Sequence, residues 1–299
     1  MPSLVLVPDY LAPTGDDVVR YARAIQPNEE ILEQVGFFVP GYLDDPNLDW
    51  IAAMSRLEVV QLPTLGFDAA IPHMRPGLRL CNAVGVHEQS TAELTVGAII
   101  SRWREIDSAA RMMPTGTWHH VRGRSLQYAD VLIVGCGGVG SRVAQCLAPL
   151  GPQIRLVGRT ARQGVHGISE LPDLLPRSDV VIVAVPLTVE TTGLVDDAFL
   201  RTMRAGSLLV NVSRGAVVDT AALVAAATEG HIEAFLDVTD PEPLPADHPL
   251  WRLPGVLITP HAGGDTDAFP RLARDLVADQ VNRWRSKEPL KYQVEVSSR

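Results

Sequence analysis

Lysine is nearly absent: of the 26 basic residues in this 299-residue chain, only Lys287 and Lys291 are lysines. Chemistry that runs through a lysine amine is thereby excluded over residues 1–286. Cysteine is also scarce. Cys81, Cys136 and Cys146 are an odd number without the spacing of a zinc site or a disulfide framework, and Cys81 and Cys146 read as small buried hydrophobes. No run approaches the ~20 apolar residues of a membrane span, and the Met-Pro-Ser-Leu start lacks the basic segment of a secretory leader. A cytoplasmic location is expected. Acidic residues outnumber basic ones by 35 to 26, for a net charge of −9, which argues against nucleic acid or an anionic membrane as a partner. No internal repeat or low-complexity tract interrupts the chain.

The length suits about two domains, and 46 % hydrophobic residues suffice to fill their cores. The stretch 130–146 organises the rest. Val131, Leu132, Ile133 and Val134 form a short apolar run typical of a strand buried on both faces, and a helical pattern follows it. Between the two, Gly135, Gly137 and Gly140 fit Gly-x-Gly-x-x-Gly. In that pattern the first glycine turns the chain, the second lets backbone approach a pyrophosphate, and the third lets helix meet strand. The helix amides of Gly138, Val139 and Gly140 would receive the phosphates.

Upstream, β-like runs at 4–7, 36–39, 59–62 and 78–82 alternate with helical stretches at 16–24 and 48–53, which suggests a small parallel α/β unit. Leu65 and Gly66 lie in a loop at the carboxyl end of the third run, where open α/β sheets bind ligands; Gly66 reads equally as a plain turn glycine. A helix is expected over 89–113, with Ala92, Leu94, Ala98, Ile99, Trp103 and Ile106 on one apolar face. Trp118, His119, His120 and Arg122 follow in a segment that reads as a surface loop.

The second nucleotide strand, 154–157, runs into Gly158, Arg159, Thr160 and Arg162. An acidic residue at this strand end binds the ribose 2′-hydroxyl in NAD sites. Here no carboxylate is present to repel a 2′-phosphate, and two guanidinium groups can bind one, so NADP(H) is expected over NAD(H). Further strands at 179–185, 207–212, 232–238 and 256–259 surround a helix at 219–229, and a long helical pattern at 269–284 is expected to return to the first unit. The strands end in Pro186-Leu-Thr188, in Asn211-Val-Ser213-Arg214, in Asp237 followed by Glu242, and in Thr259-Pro-His261-Ala-Gly263. Parallel strands present their carboxyl ends at one edge, so Arg214, Glu242 and His261 should gather there.

Such a set suits reduction of a carbonyl. Histidine, with an ordinary pKa near ~6.5, can deliver a proton to the oxygen at neutral pH. A carboxylate beside an imidazole fixes the ring and favours its protonated form. An arginine can polarise the carbonyl and grip an adjacent carboxylate, which makes a 2-oxo acid the natural substrate. Taken singly, His261 could merely cap a turn and Glu242, between two prolines, could be an exposed loop acid; the combination is what points to chemistry.

These motifs, with Asn82-Ala-Val-Gly-Val-His87, Ala92-Glu-Leu94, Pro186-Leu-Thr188-Val-Glu190-Thr191, Pro241-Glu-Pro-Leu244 and Thr259-Pro-His-Ala-Gly-Gly264, resemble the D-isomer-specific 2-hydroxyacid dehydrogenase family from about residue 82 to 264. The resemblance implies α/β architecture: two Rossmann-like or flavodoxin-like doubly wound parallel-sheet domains with a cleft between them. Residues 1–91 and 269–299 would form the substrate domain and 92–268 the dinucleotide-binding domain. It also implies a homodimer built on the helix that begins near Ala92, catalytic roles for Arg214, Glu242 and His261, and substrate-carboxylate binding by backbone amides of Leu65 and Gly66. The expected coenzyme contacts are Gly135, Gly137, Gly138, Val139, Gly140, Arg159, Thr160, Arg162, Pro186, Thr191, Asp237 and Gly263, with Asp237 on the carboxamide.

Departures narrow the field. Formate dehydrogenases of the family carry glutamine where Glu242 stands, and phosphite dehydrogenases carry lysine where this chain has Leu65. The regulatory extension of longer phosphoglycerate dehydrogenases is not expected, since none follows Arg299 in the sequence read. Gly158 followed by Arg159 matches the arrangement of NADPH-using glyoxylate and hydroxypyruvate reductases. A nucleotide-sensing interaction protein, like the corepressors that share this fold, is the alternative from another class. The 118–122 segment is expected near the dimer contact, where it could influence a neighbour's substrate pocket.

Overall fold

The computed structural model describes residues 3–22, 27–42 and 46–295. The chain divides into two compact units, Met1–His87 with Thr266–Arg299, and Glu88–Asp265.

The first unit opens with β1 (Leu4–Pro8), β2 (Val18–Tyr21), β3 (Val35–Phe38), β4 (Val59–Gln61) and β5 (Arg79–Cys81), all mutually parallel. β2 corrects the helix expected over 16–24, whose last residues Arg23 and Ala24 lie outside the described residues. The β-branched pair Val18 and Val19 sets against Val5 and Leu6 of β1 and takes the edge of the sheet instead. The stretch at Leu48–Ala53 is a 3₁₀ rather than an α-helix.

The second unit contributes β6 (Asp130–Val134), β7 (Gln153–Gly158), β8 (His166–Gly167), β9 (Val180–Val183), β10 (Ser207–Asn211), β11 (Ile232–Leu236) and β12 (Val256–Ile258). They form one wholly parallel sheet in the order β12-β11-β10-β9-β6-β7-β8. Val131, Ile133, Val180 and Ile182 face one apolar layer, and Leu132, Val134, Val181 and Val183 face the other. Burial on both faces explains the unbroken apolar runs, and each such side chain contributes roughly 1.5–3 kcal/mol. Strand order reverses between β6 and β9, which is where an open α/β sheet leaves a crevice at its carboxyl edge.

The helix expected over 89–113 is two helices, Glu88–Trp103 and Ile106–Met112, separated by Glu105 at φ 55°. Arg102 on the first helix and Asp107 on the second make a buried 2.6 Å ion pair across the break. Ala92, Ala98, Ile99 and Trp103 are buried and Leu94 partly so, but Ile106, beyond the break, is 53 % exposed and leaves the apolar face. Cys81 is buried, whereas Cys146 is only half-buried.

The chain then returns to the first unit. The Phe269–Arg285 helix buries Phe269, Ala273, Val277 and Val281 against β1, β3 and β5. Its Gln280 donates to Gln61 Oε1 at 2.7 Å and to the Lys291 carbonyl at 2.9 Å, fixing the final strand, β13 (Gln293–Val294), antiparallel beside β5. No described helix is long and apolar enough to cross a membrane.

Candidate active site

Glycine at two positions of the β6 turn is dictated by space. Gly135 has φ 109°, and a Cβ there would stand 2.2 Å from the Ala184 carbonyl oxygen; a Cβ on Gly140 would stand 1.8 Å from the Gly135 oxygen. Gly137, by contrast, has nothing within 4 Å of the place its Cβ would occupy. The turn is thus tight below and open in front, and the Gly138–Leu147 helix begins directly behind it. First-turn amides of a helix have no intrahelical acceptor, so this cradle fits a dinucleotide pyrophosphate. Val139 packs against the apolar layer beneath, and Gly138 lies against Glu88.

At the end of β7, Gly158 is buried, and Arg159, Thr160 and Arg162 are exposed. Arg162 Nη2 donates to Cys136 Sγ at 2.8 Å, which draws the guanidinium back over the glycine turn. In the loop after β9, the Thr191 hydroxyl donates to the Pro186 carbonyl at 2.6 Å and accepts from the Thr188 amide at 2.8 Å. The same loop carries Glu190, held below the usual carboxylate range by Thr188, by its own backbone amide and by the nearby charge of Arg159.

The carboxyl edge brings the remaining groups together. Asn211 at the end of β10 accepts from the Ser213 amide at 3.1 Å and donates to the Arg214 carbonyl at 3.0 Å, turning the chain so that Arg214 leaves the strand. Gly215 allows the next loop to close in, since a Cβ there would meet the Thr239 oxygen at 1.9 Å. That loop bears Glu242, whose Oε1 is 2.6 Å from His261 Nδ1. The hydrogen bond from His261, then its charge, the Thr239 amide and the charge of Arg214 hold the Glu242 carboxyl below its ordinary value despite partial burial. All three residues expected to gather therefore lie within mutual influence.

Asp237, 3 % exposed, braces the turn that carries the histidine. Its Oδ1 accepts from the Thr259 hydroxyl at 2.6 Å and the Ala262 amide at 2.9 Å, its Oδ2 from the Gly263 amide at 2.9 Å, and its carbonyl from the His261 amide at 2.8 Å. The sequence pointed to Asp237 and Gly263 as coenzyme contacts but held no sign of this mutual bond. The Cys136–Arg162 contact was missed as well; it depends on how β6 and β7 align.

In the first unit, the loop after β4 ties down its carbonyls. Thr64 Oγ1 donates to the Gly66 oxygen at 2.8 Å, Asn82 Nδ2 to the Leu65 oxygen at 3.0 Å and the Ala83 amide to the Thr64 oxygen at 2.9 Å. Among the described residues nothing accepts from the Leu65 and Gly66 amides. Trp118 is 96 % exposed, and the residues that follow it through Arg122 are exposed too, Val121 at 45 %.

Comparison with known proteins adds an independent line. Residues 96–263 match the family model described as D-isomer specific 2-hydroxyacid dehydrogenase, NAD binding domain. The glyoxylate reductase of Thermofilum pendens is 35 % identical over 246 residues, 76 % of this chain and 73 % of that protein. The human glyoxylate reductase/hydroxypyruvate reductase is 32 % identical over 253 residues, 80 % of this chain and 77 % of its own length. Among solved structures, a D-isomer specific 2-hydroxyacid dehydrogenase from Xanthobacter autotrophicus in complex with NADPH and MES superposes with a TM-score of 0.83 at 31 % identity, covering 99 % of this chain and 98 % of the other. An NADPH-dependent glyoxylate/hydroxypyruvate reductase from Sinorhizobium meliloti, in complex with NADP and malonate, gives 0.82 at 26 % identity with the same coverage. The glycine cradle, the strand-end residues and these matches agree: the chain belongs to the D-isomer specific 2-hydroxyacid dehydrogenase family and is an oxidoreductase that uses a nicotinamide coenzyme.

Proposed function

We propose that this oxidoreductase reduces short 2-oxo acids of the glyoxylate and hydroxypyruvate type to D-2-hydroxy acids, with NADP(H) preferred and NAD(H) possible. The observation that carries the reading is the 2.6 Å bond between His261 Nδ1 and Glu242, formed where Arg214 bears on the same carboxylate. Bound coenzyme would supply the hydride, and the chain's own groups do the rest. Because Nδ1 is committed to Glu242, Nε2 is the ring atom that protonates the carbonyl oxygen. Arg214 polarises that carbonyl and holds the neighbouring carboxylate with its forked donors. The free Leu65 and Gly66 amides are proposed for the substrate carboxylate.

Support for NADP(H) comes from Gly158, which leaves no carboxylate at the end of β7, and from Arg159 and Arg162 beside it. The Thermofilum and human relatives are a glyoxylate reductase and a glyoxylate/hydroxypyruvate reductase, and the two superposed structures hold NADPH or NADP. Nothing supports the nucleotide-sensing alternative. We also propose a homodimer in which the 118–122 segment contacts the second copy near its substrate pocket; the motive is the exposure of Trp118, and sedimentation of a monomer at micromolar concentration would refute it.

The experiment is a screen of glyoxylate, hydroxypyruvate, pyruvate and bulkier 2-oxo acids with both coenzymes, on the wild type and on His261→Ala. Turnover is expected to fall by ~10²–10⁴-fold in the variant while coenzyme binding persists. Unchanged turnover across the panel overturns the catalytic assignment, and at least tenfold better efficiency with NADH overturns the coenzyme preference.

A further inference from the structure

Inside the glycine turn stands one side chain that the proposed chemistry leaves unused. Cys136 occupies the x position between Gly135 and Gly137, half-buried, with its sulfur accepting from Arg162 Nη2 at 2.8 Å. Both atoms close over Gly158. A Cβ at that glycine would lie 3.0 Å from Arg162 Nη1, 3.0 Å from Cys136 Sγ and 3.2 Å from Val165 Cγ1. The backbone of Arg162 is fixed as well, because its amide and carbonyl exchange bonds with Val165 at 2.9 and 2.8 Å.

Arginine carries much rotamer freedom, and an exposed one is seldom held in a single direction. Here a clamped backbone, a glycine floor and a sulfur acceptor direct the guanidinium toward the phosphate cradle. Among the described residues no carboxylate pairs with it, so its remaining donors are available to an anion. A thiol is a weak acceptor, and weakness is useful here, because the sulfur orients the fork without neutralising the charge a phosphate would meet.

We infer that Cys136 is a positioning residue for coenzyme discrimination, holding Arg162 so that its free donors meet the 2′-phosphate of NADP(H). This rests on the proposed NADP preference. It assigns part of that preference to a side chain in the phosphate-binding turn rather than to the β7 end alone.

The test uses binding of two coenzyme fragments, 2′,5′-ADP and 5′-AMP, by titration calorimetry on the full chain, without any turnover. The wild type should favour 2′,5′-ADP by about tenfold or more, and Arg162→Gln should lose most of that ratio. Cys136→Val, similar in shape but without an acceptor, should lower 2′,5′-ADP affinity by about three- to tenfold and leave 5′-AMP affinity within about twofold. The smaller Cys136→Ala carries the same expectation, and Cys136→Ser, which restores an acceptor, should stay near the wild type. If the wild type does not distinguish the fragments, the NADP reading itself fails and the inference with it. If the wild type and Arg162→Gln behave as stated but Cys136→Val and Cys136→Ala keep the full ratio, the inference alone fails. Equal loss of both fragments in the valine and alanine variants would mark a damaged turn and would also overturn it.

Discussion

Replacing Asp237 with asparagine removes one charge and almost no volume, yet it should loosen the turn that carries His261. The carboxylate receives three hydrogen bonds, two on Oδ1 and one on Oδ2, all inside a site only 3 % exposed. An amide keeps one acceptor oxygen. Turned one way, its NH₂ faces the Gly263 amide; turned the other way, it faces the Ala262 amide. Either orientation leaves one buried backbone donor orphaned and strips the surviving bonds of their charge. An orphaned buried donor costs about 1–3 kcal/mol, and bonds to a charged group exceed neutral ones by up to a similar amount. The turn has little in reserve, because His261 sits at φ 52°, a left-handed conformation that costs an L-residue roughly 1–2 kcal/mol.

A net loss of about 2–3 kcal/mol follows, equivalent to about 30- to 160-fold in the local opening equilibrium. Amide hydrogen exchange reads this directly, since the Ala262 and Gly263 amides are held by the Asp237 side chain itself. Both should lose about 30- to 160-fold protection in Asp237→Asn, with the strand amides of β6 and β9 unchanged. If these two amides exchange within about threefold of their wild-type rates, Asp237 does not brace the turn as argued.

Two further perturbations probe the electrostatics. Glu242 is held below its ordinary value of 4.5 chiefly by the hydrogen bond from His261, so the pair is intact above that value and is lost only as pH falls through the lower folded one; a carbon-13 titration of Glu242 should have its midpoint below 4.5, and a midpoint at or above 4.5 refutes the pairing. Burial raises the Asp107 carboxyl, but the Arg102 hydrogen bond and charge, followed by those of Arg111, outweigh it and hold the group below its ordinary 3.8, so its stabilisation is present at neutral pH and lost in strong acid. Asp107→Ala strands a guanidinium whose side chain is 4 % exposed and which then keeps, among the described residues, only the carboxylate of Glu233 at 3.2 Å; it should cost about 3 kcal/mol at pH 7, and a shift below about 1 kcal/mol in urea unfolding would refute this.

Sequence patterns were most legible where burial is symmetrical. Every residue of β9 is apolar and fully enclosed, as are Val131, Leu132 and Ile133 of β6, and such runs announce themselves because no residue has a solvent face to satisfy. β2 was opaque for the opposite reason. Four residues at a sheet edge, preceded by Asp16 and Asp17, look like the acid-rich start of a helix, and only pairing with β1 makes them a strand. The break at Glu105 had no local signal at all, because glutamate has no preference for φ 55°; the buried Arg102–Asp107 ion pair that spans it is a tertiary feature.

The site divides along the same line. Arg214, Glu242 and His261 could be found because each follows an apolar run that must end at the carboxyl edge of a parallel sheet, so residues 19 to 47 apart in sequence converge by topology alone. What a strand-end rule cannot supply is side-chain direction. Arg162 reaches Cys136 across 26 residues only because β6 and β7 are parallel neighbours with Val134 beside Val157, which places the two turns edge to edge. A register slip of a single residue would turn the β7 side chains to the opposite face and separate the pair without altering a single motif. The Arg162–Cys136 contact is therefore written less in the identity of the two residues than in the strand pairing that brings their turns together.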